Sequence, residues 1–185
     1  MQPWLSALKQ QLTLQIQQNK LPHALIISGM YGSGYAQLAQ WLIQVLLCQN
    51  KQDHPSGILN ACQQCKTCQL YQGHTYPDHI NLIAEKSTLG VNEIRRVSQF
   101  FQKTAHIGYS KSVLINQAET LTLEAANALL KTLEEPTVNS FLILTTEHVD
   151  RLLPTVISRC QQIKIRPSVE ESLQQALSGQ KDTTN

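Results

Sequence analysis

Ala24-Leu25-Ile26-Ile27-Ser28 runs directly into Gly29-Met30-Tyr31-Gly32-Ser33-Gly34-Tyr35-Ala36. Four apolar residues and a serine without a charged break predict a strand buried on both faces, the kind found in parallel sheets covered by helices. The glycines have the spacing of a phosphate-binding loop, and a helix over about Tyr35 to Leu47 follows at once. Such a loop works through a nest of backbone N–H groups and a helix N-terminus, both aimed at phosphate oxygens. It also needs a lysine for the β/γ-phosphates and a hydroxyl for Mg²⁺. Tyr35 and Ala36 stand at those two positions, bringing neither the cation nor the metal-holding oxygen. The stretch is open to two readings: a nucleotide site with an unusual loop, or an inherited loop that only shapes the turn.

Outward from this unit, strands and helices alternate. Trp4 to Asn19 carries Leu5, Leu8, Leu12 and Ile16 at helical spacing, and Leu21-Pro22 ends that element. Downstream, apolar runs predict strands at Ile80–Ile83, Ser112–Ile115, Phe141–Thr145 and Gln162–Ile165. Helices are predicted over Val91–Thr104 and from an N-cap at Thr122 to about Glu135, where Pro136 closes the element. Leu152–Ser158 predicts a short turn or helix. The pattern specifies an α/β three-layer sandwich around a five-stranded, mostly parallel sheet. In P-loop enzymes an acidic side chain beside the loop holds Mg²⁺. Here Asn116-Gln117 end the Ser112–Ile115 strand, and neutral amides supply neither a strong metal ligand nor a base. With Tyr35 and Ala36, they predict that this chain does not hydrolyse ATP by itself.

Cys62-Gln63-Gln64-Cys65-Lys66-Thr67-Cys68 is a C-x₂-C-x₂-C run, and thirteen residues separate it from Cys48 upstream. Four soft thiolates in one segment, about 48–78, suit structural Zn²⁺ in a tetrahedral site. The segment holds few large apolar residues, so a metal would supply the cross-link that a core does not. An iron–sulfur cluster and four unligated thiols are the alternatives. Four cysteine ligands leave no open position for catalysis. His54, His74 and His79 flank the segment as surface or hydrogen-bonding groups.

The 185 residues carry a net charge of +2, with 15% charged residues and 23 glutamines. Amides therefore supply much of the polar surface. A strongly basic DNA-coating protein and an acidic disordered tail are excluded. There is no apolar run of membrane-spanning length and no secretory signal at the N-terminus. A cytoplasmic location is expected, where cysteines stay reduced or hold metal.

Leu21-Pro22-His23-Ala24-Leu25 before the loop, and Ala126-Asn127-Ala128-Leu129-Leu130-Lys131-Thr132-Leu133-Glu134-Glu135-Pro136, resemble the clamp-loader ATPases of the AAA+ family. Ile157-Ser158-Arg159-Cys160 is similar to their Ser-Arg-Cys motif. Together with the cysteine knuckle and the failed loop, the resemblance is to clamp-loader subunits of bacterial DNA polymerase III and covers about residues 1–166. It implies an AAA+ RecA-like domain over 1–166, with residues 167–185 beginning a helical lid and the collar domain absent. It also implies a non-hydrolysing place in a five-membered ring that loads the sliding clamp onto primed DNA. The implied partners are the tau/gamma ATPase subunits and the delta subunit, with the clamp and DNA reached through the complex. No intrinsic ATPase or polymerase chemistry is implied. Arg159, with Ser158, would be a trans-acting arginine finger reaching ATP on a neighbour, where guanidinium stabilises charge on the γ-phosphate. Cys160 is expected to be a small buried residue. Lys131 is expected at the surface, or against a neighbour or DNA. Glu134 and Glu135 sit near a helix C-terminus, where the dipole disfavours them, and so call for a local partner. An active ATPase of the same fold and a small metal-dependent nucleic-acid-binding module are the competing readings.

Overall fold

The computed structural model describes residues 4–84, 87–108 and 110–167. Strand β1 (Ala24–Ser28) is buried at all five positions and lies inside the sheet. It pairs in parallel with β6 (Ser140–Thr146) on one side and β7 (Gln161–Lys164) on the other. Beyond β6 come β5 (Lys111–Ile115) and β4 (His79–Leu82), giving the order β4-β5-β6-β1-β7 with every pairing parallel. The expected five-stranded sheet is therefore present. Its edges are the most polar strands, with Gln161, Gln162 and Lys164 on β7, which suits an edge that meets water.

Alternation along the strands divides the core in two. Leu25, Ile27, Leu114 and Ile143 face α1 (Trp4–Gln17) and α2 (Tyr35–Leu47). Ala24, Ile26, Val113, Ile115, Leu142 and Leu144 face α4 (Val91–Gln102) and α5 (Leu123–Glu134). Helix α2 is buried along most of its length, from Leu38 to Leu47, because it lies between the sheet, α1 and the cysteine-bearing insertion. Thr122 caps α5 as predicted, its hydroxyl accepting from the Ala125 amide at 3.2 Å. Helix α1 stops at Gln17, two residues short of the predicted end, and Asn19 takes a left-handed turn at φ 53°. Two short 3-10 turns, Ala118–Thr120 and Val149–Arg151, and the one-turn α6 (Pro154–Ile157) complete the main body. Apart from Pro167, the segment 167–185 expected to begin the lid lies outside the described residues.

The insertion is more ordered than its sequence suggests. It forms a hairpin of β2 (Gln52–Asp53) and β3 (Leu59–Asn60), then α3 (Lys66–Gln72). It shares the main core through Ile58, Leu59 and Tyr76. Both backbone groups of Leu59 are held by core side chains. Its amide donates to Thr13 Oγ1 at 3.0 Å, and its carbonyl accepts from Trp41 Nε1 at 3.0 Å.

Past the insertion, Asp78 is fully buried and accepts three backbone N–H bonds, from His106, Ile107 and Gly108, at 2.6, 2.8 and 3.0 Å. These bonds tie the start of β4 to the loop between α4 and β5. The buried Lys111 donates to the Phe100 carbonyl at 2.5 Å and to that of Lys103, so a cation closes the C-terminal end of α4. Burial would push the Asp78 carboxyl up, but the three amides outweigh it and hold it below the usual value. Its stabilisation is therefore complete above about pH 4 and lost as pH falls through the lowered folded value. Asp78→Ala leaves three amides without an acceptor and should cost roughly 1–3 kcal/mol in urea unfolding at neutral pH. The difference from the parent should shrink in acid. Equal stability of parent and variant at pH 7 would remove Asp78 as an anchor.

Candidate functional site

The phosphate-like loop follows β1 at the C-terminal edge of the sheet, the position where ligands bind in open α/β folds. Gly32 and Gly34 have φ of 80° and 90°, left-handed values that glycine adopts without strain, and Gly34 caps α2. At Gly29, a Cβ would stand 2.3 Å from Ser33 Oγ and 3.3 Å from the Ile165 carbonyl oxygen, so a side chain there would have to displace the Ser33 hydroxyl. The loop has the turn of a phosphate site without the charged groups that such a site uses. The Tyr35 hydroxyl donates to Glu147 Oε1 at 3.0 Å, just past β6. Burial and the Glu147 carboxylate push the Tyr35 phenol up to about 12, so it stays neutral and donates at physiological pH. A neutral phenol tied to an anion thus occupies the place of a lysine, and Glu147 opposes any phosphate that approaches. Ala36 offers no oxygen. Asn116 Nδ2 donates to Asn81 Oδ1 at 2.6 Å and to the Leu82 carbonyl at 3.1 Å, so its amide joins β5 to β4. Gln117 turns the chain at φ 49°. A cleft of about 830 Å³ lies beside the loop, bounded by Trp4, Tyr31, Glu147, Asp150, Lys164 and Arg166. Glu147 escapes a motif reading. Its one signal in the sequence is an acid directly after a central strand.

The four predicted thiols converge. Cys48 ends α2, Cys62 and Cys65 lie in the loop after β3, and Cys68 sits in α3. Their sulfurs all lie within 4.8 Å of one another. Cys48 Sγ is 3.6 Å from Cys62 Sγ and 3.9 Å from Cys65 Sγ. A tetrahedron of sulfurs about 2.3 Å from a central ion has edges of about 3.8 Å, whereas a disulfide needs about 2.05 Å. The spacing fits one ion rather than disulfides or a cluster of several irons. Amides support the sulfurs: Cys62 N donates to Cys48 Sγ and Cys65 N to Cys62 Sγ, each at 3.3 Å. The amides of Gln64 and Cys65 hold the Cys62 thiol below its ordinary value. Burial would push Cys65 up, but the Thr67 hydroxyl and the Cys68 and Gln49 amides outweigh it and hold it at about 5. Burial pushes Cys48 and Cys68 up, so these two thiols need a cation to draw off their protons. The flanking histidines have other work. His54 Nδ1 meets Ser56 Oγ at 2.8 Å, and His79 Nδ1 meets Ser112 Oγ at 2.8 Å. Burial lowers the His79 imidazole to about 4. His74 occupies a left-handed turn at φ 55°.

Arg159 lies between α6 and β7, at the N-terminal edge of the sheet. Its Nη2 pairs with Glu134 Oε1 at 2.7 Å, and its Nη1 donates to the Thr155 carbonyl at 3.0 Å. Ser158 Oγ donates to the same carbonyl at 3.1 Å. Glu134 thus has the local partner its helix position calls for. Lys131 is exposed on α5. Cys160 is buried in the core below, and burial pushes its thiol up to about 12, so it is neither a ligand nor a nucleophile. Strand β7 runs parallel to β1, with Gln161 opposite Leu25 and Lys164 opposite Ser28. At about 3.3 Å per residue, Arg159 therefore sits at least ~10 Å along the strands from the chain's own loop, at the other end of the sheet.

Over residues 4–169 the sequence matches the family described as DNA polymerase III, delta subunit. It is 40% identical over 171 residues to DNA polymerase III subunit delta' of Escherichia coli strain K12, covering 91% of this chain and 50% of that one. Identity to subunit delta' of Pseudomonas aeruginosa is 39% over 162 residues, covering 86% and 47%. For subunit delta' of Bacillus subtilis strain 168 it is 30% over 162 residues, covering 88% and 47%. The chain spans about half the length of these relatives. The fold is similar to that of a DNA polymerase III gamma subunit-related protein from Thermotoga maritima, with a TM-score of 0.61, 21% identity, and coverage of 88% of this chain and 47% of that one. With a glycine loop stripped of its cation, four gathered thiols and an arginine turned away from that loop, the chain belongs to the family of DNA polymerase III delta' subunits.

Proposed function

We propose that this chain is a non-hydrolysing subunit of the DNA polymerase III clamp loader, helping its ATP-driven neighbours place the sliding clamp on primed DNA. The observation that carries this reading is the Tyr35–Glu147 hydrogen bond, which puts a neutral phenol and a carboxylate where an ATPase needs a cation. The partners are the tau/gamma ATPase subunits and the delta subunit, with clamp and DNA engaged through the whole assembly. A net charge of +2 supports no strong phosphate attraction by this chain alone. Residues 1–166 form the AAA+ domain and 167–185 begin the lid. Among the described residues, no helix is long and apolar enough to cross a membrane.

Arg159 acts in trans, as a finger for ATP on a neighbouring subunit. Its place at the end of the sheet away from its own loop supports this reading, since the guanidinium cannot serve that loop. The thiols Cys48, Cys62, Cys65 and Cys68 hold structural Zn²⁺, supported by their tetrahedral spacing and all-sulfur donor set. Bound there, the ion cross-links α2, the loop after β3 and α3.

Three outcomes test these readings. Titration of the chain with labelled ATP and Mg²⁺ should show no saturable binding in the micromolar range. Binding with turnover would instead make it an active ATPase. Arg159→Ala should leave the chain folded while the assembled loader loses turnover at the neighbouring site by roughly 10³-fold or more. Elemental analysis should find one zinc per chain, and Cys65→Ser should lose most of it together with several degrees of melting temperature. A chain without bound metal as purified from zinc-supplemented cells, or a visible iron–sulfur spectrum, would reject the zinc site.

A further inference from the structure

Glu134 closes α5, where the helix dipole opposes an acid, yet it reaches across to the Arg159 guanidinium at 2.7 Å. Thr155, at the other side of the guanidinium, accepts from Nη1 at 3.0 Å. Two acceptors on two different elements therefore fix both terminal nitrogens of one arginine. An arginine has five N–H donors in a planar fork. Two are used within the chain, and three remain: one on each terminal nitrogen and the one on Nε. That is enough for a forked contact with phosphate oxygens without release of the tether. A free arginine side chain, by contrast, spreads over many rotamers, and ordering it at the moment of contact weakens the contact.

We propose that Glu134 is the positioning residue of Arg159, holding the guanidinium in the pose it presents to a triphosphate on the neighbouring subunit. The inference rests on the reading of Arg159 as a trans-acting finger. Glu134 itself touches no phosphate. It acts through the arginine, by limiting its rotamers before the neighbour arrives. The pair is exposed, with side-chain exposures of 37% for Arg159 and 52% for Glu134, so its effect is modest and sensitive to salt.

The test uses the assembled loader containing the full native chain with Glu134→Ala, Glu134→Gln, Arg159→Ala, or Glu134→Ala and Arg159→Ala together. Glu134→Ala should lower kcat for ATP by about two- to five-fold, the size an exposed ion pair contributes, with KM unchanged. The deficit should shrink as ionic strength rises. Glu134→Gln, which keeps an oxygen acceptor, should fall between the parent and the alanine variant. On the Arg159→Ala background, Glu134→Ala should change nothing further, since its route to the reaction is already gone. If Arg159→Ala lowers turnover while Glu134→Ala leaves it unchanged or raises it, the positioning role is overturned and the finger stands. A further loss on the Arg159→Ala background also overturns it. Full turnover with Arg159→Ala overturns the finger itself.

Discussion

Strand β1 has no polar face. Its residues Ala24 to Ile27 are all but inaccessible, so the chain must supply a helical layer on each side and a paired strand on each edge. The rest of the architecture follows from that demand. Helices α1 and α2 cover one face, α4 and α5 the other, and β6 and β7 close the edges. The parallel register then determines which groups share an end of the sheet. Whatever follows β1 emerges at one end, with Glu147 after β6. Whatever precedes β7 emerges at the other, with the end of α5 nearby. A glycine loop and an arginine held apart by the length of a strand are the direct outcome of this register.

The residues at the positions where a phosphate loop keeps its charges have structural partners of their own. Tyr35, at the position of a phosphate-loop lysine, donates to Glu147, and Asn116, at the end of β5, links to Asn81 and Leu82. These side chains hold the scaffold together. The insertion shows the same economy. The pair of bonds around Leu59 ties it to α1 and α2, so the thiol-bearing segment is attached to the core at its base as well as through its sulfurs.

Much of this is legible in the sequence because local chemistry encodes it. The apolar run of β1, the glycine spacing, the cap at Thr122 and the C-x₂-C-x₂-C run each state their role within a few residues. The hairpin of β2 and β3 is not legible, since strands of two residues have no period to read. Nor are the partners of Tyr35 and Arg159. Glu147 lies 112 residues from Tyr35, and Glu134 is one acid among thirteen acidic residues. Only the sheet order brings these carboxylates to their partners. The helix dipole does signal that Glu134 needs a positive neighbour, but not which one.

The two tryptophans give the molecule a built-in optical readout. Trp4 donates through its indole to the Ser33 carbonyl at 2.7 Å, within the glycine loop, and is partly open to solvent. Trp41 is 8% exposed and bonded to the hairpin that leads into the sulfurs. One indole emits from a wet cleft and the other from an apolar interior, so their fluorescence differs in wavelength and in access to a quencher. A single emission spectrum thus carries separate signals from the glycine loop and from the thiol-bearing insertion, with no label attached.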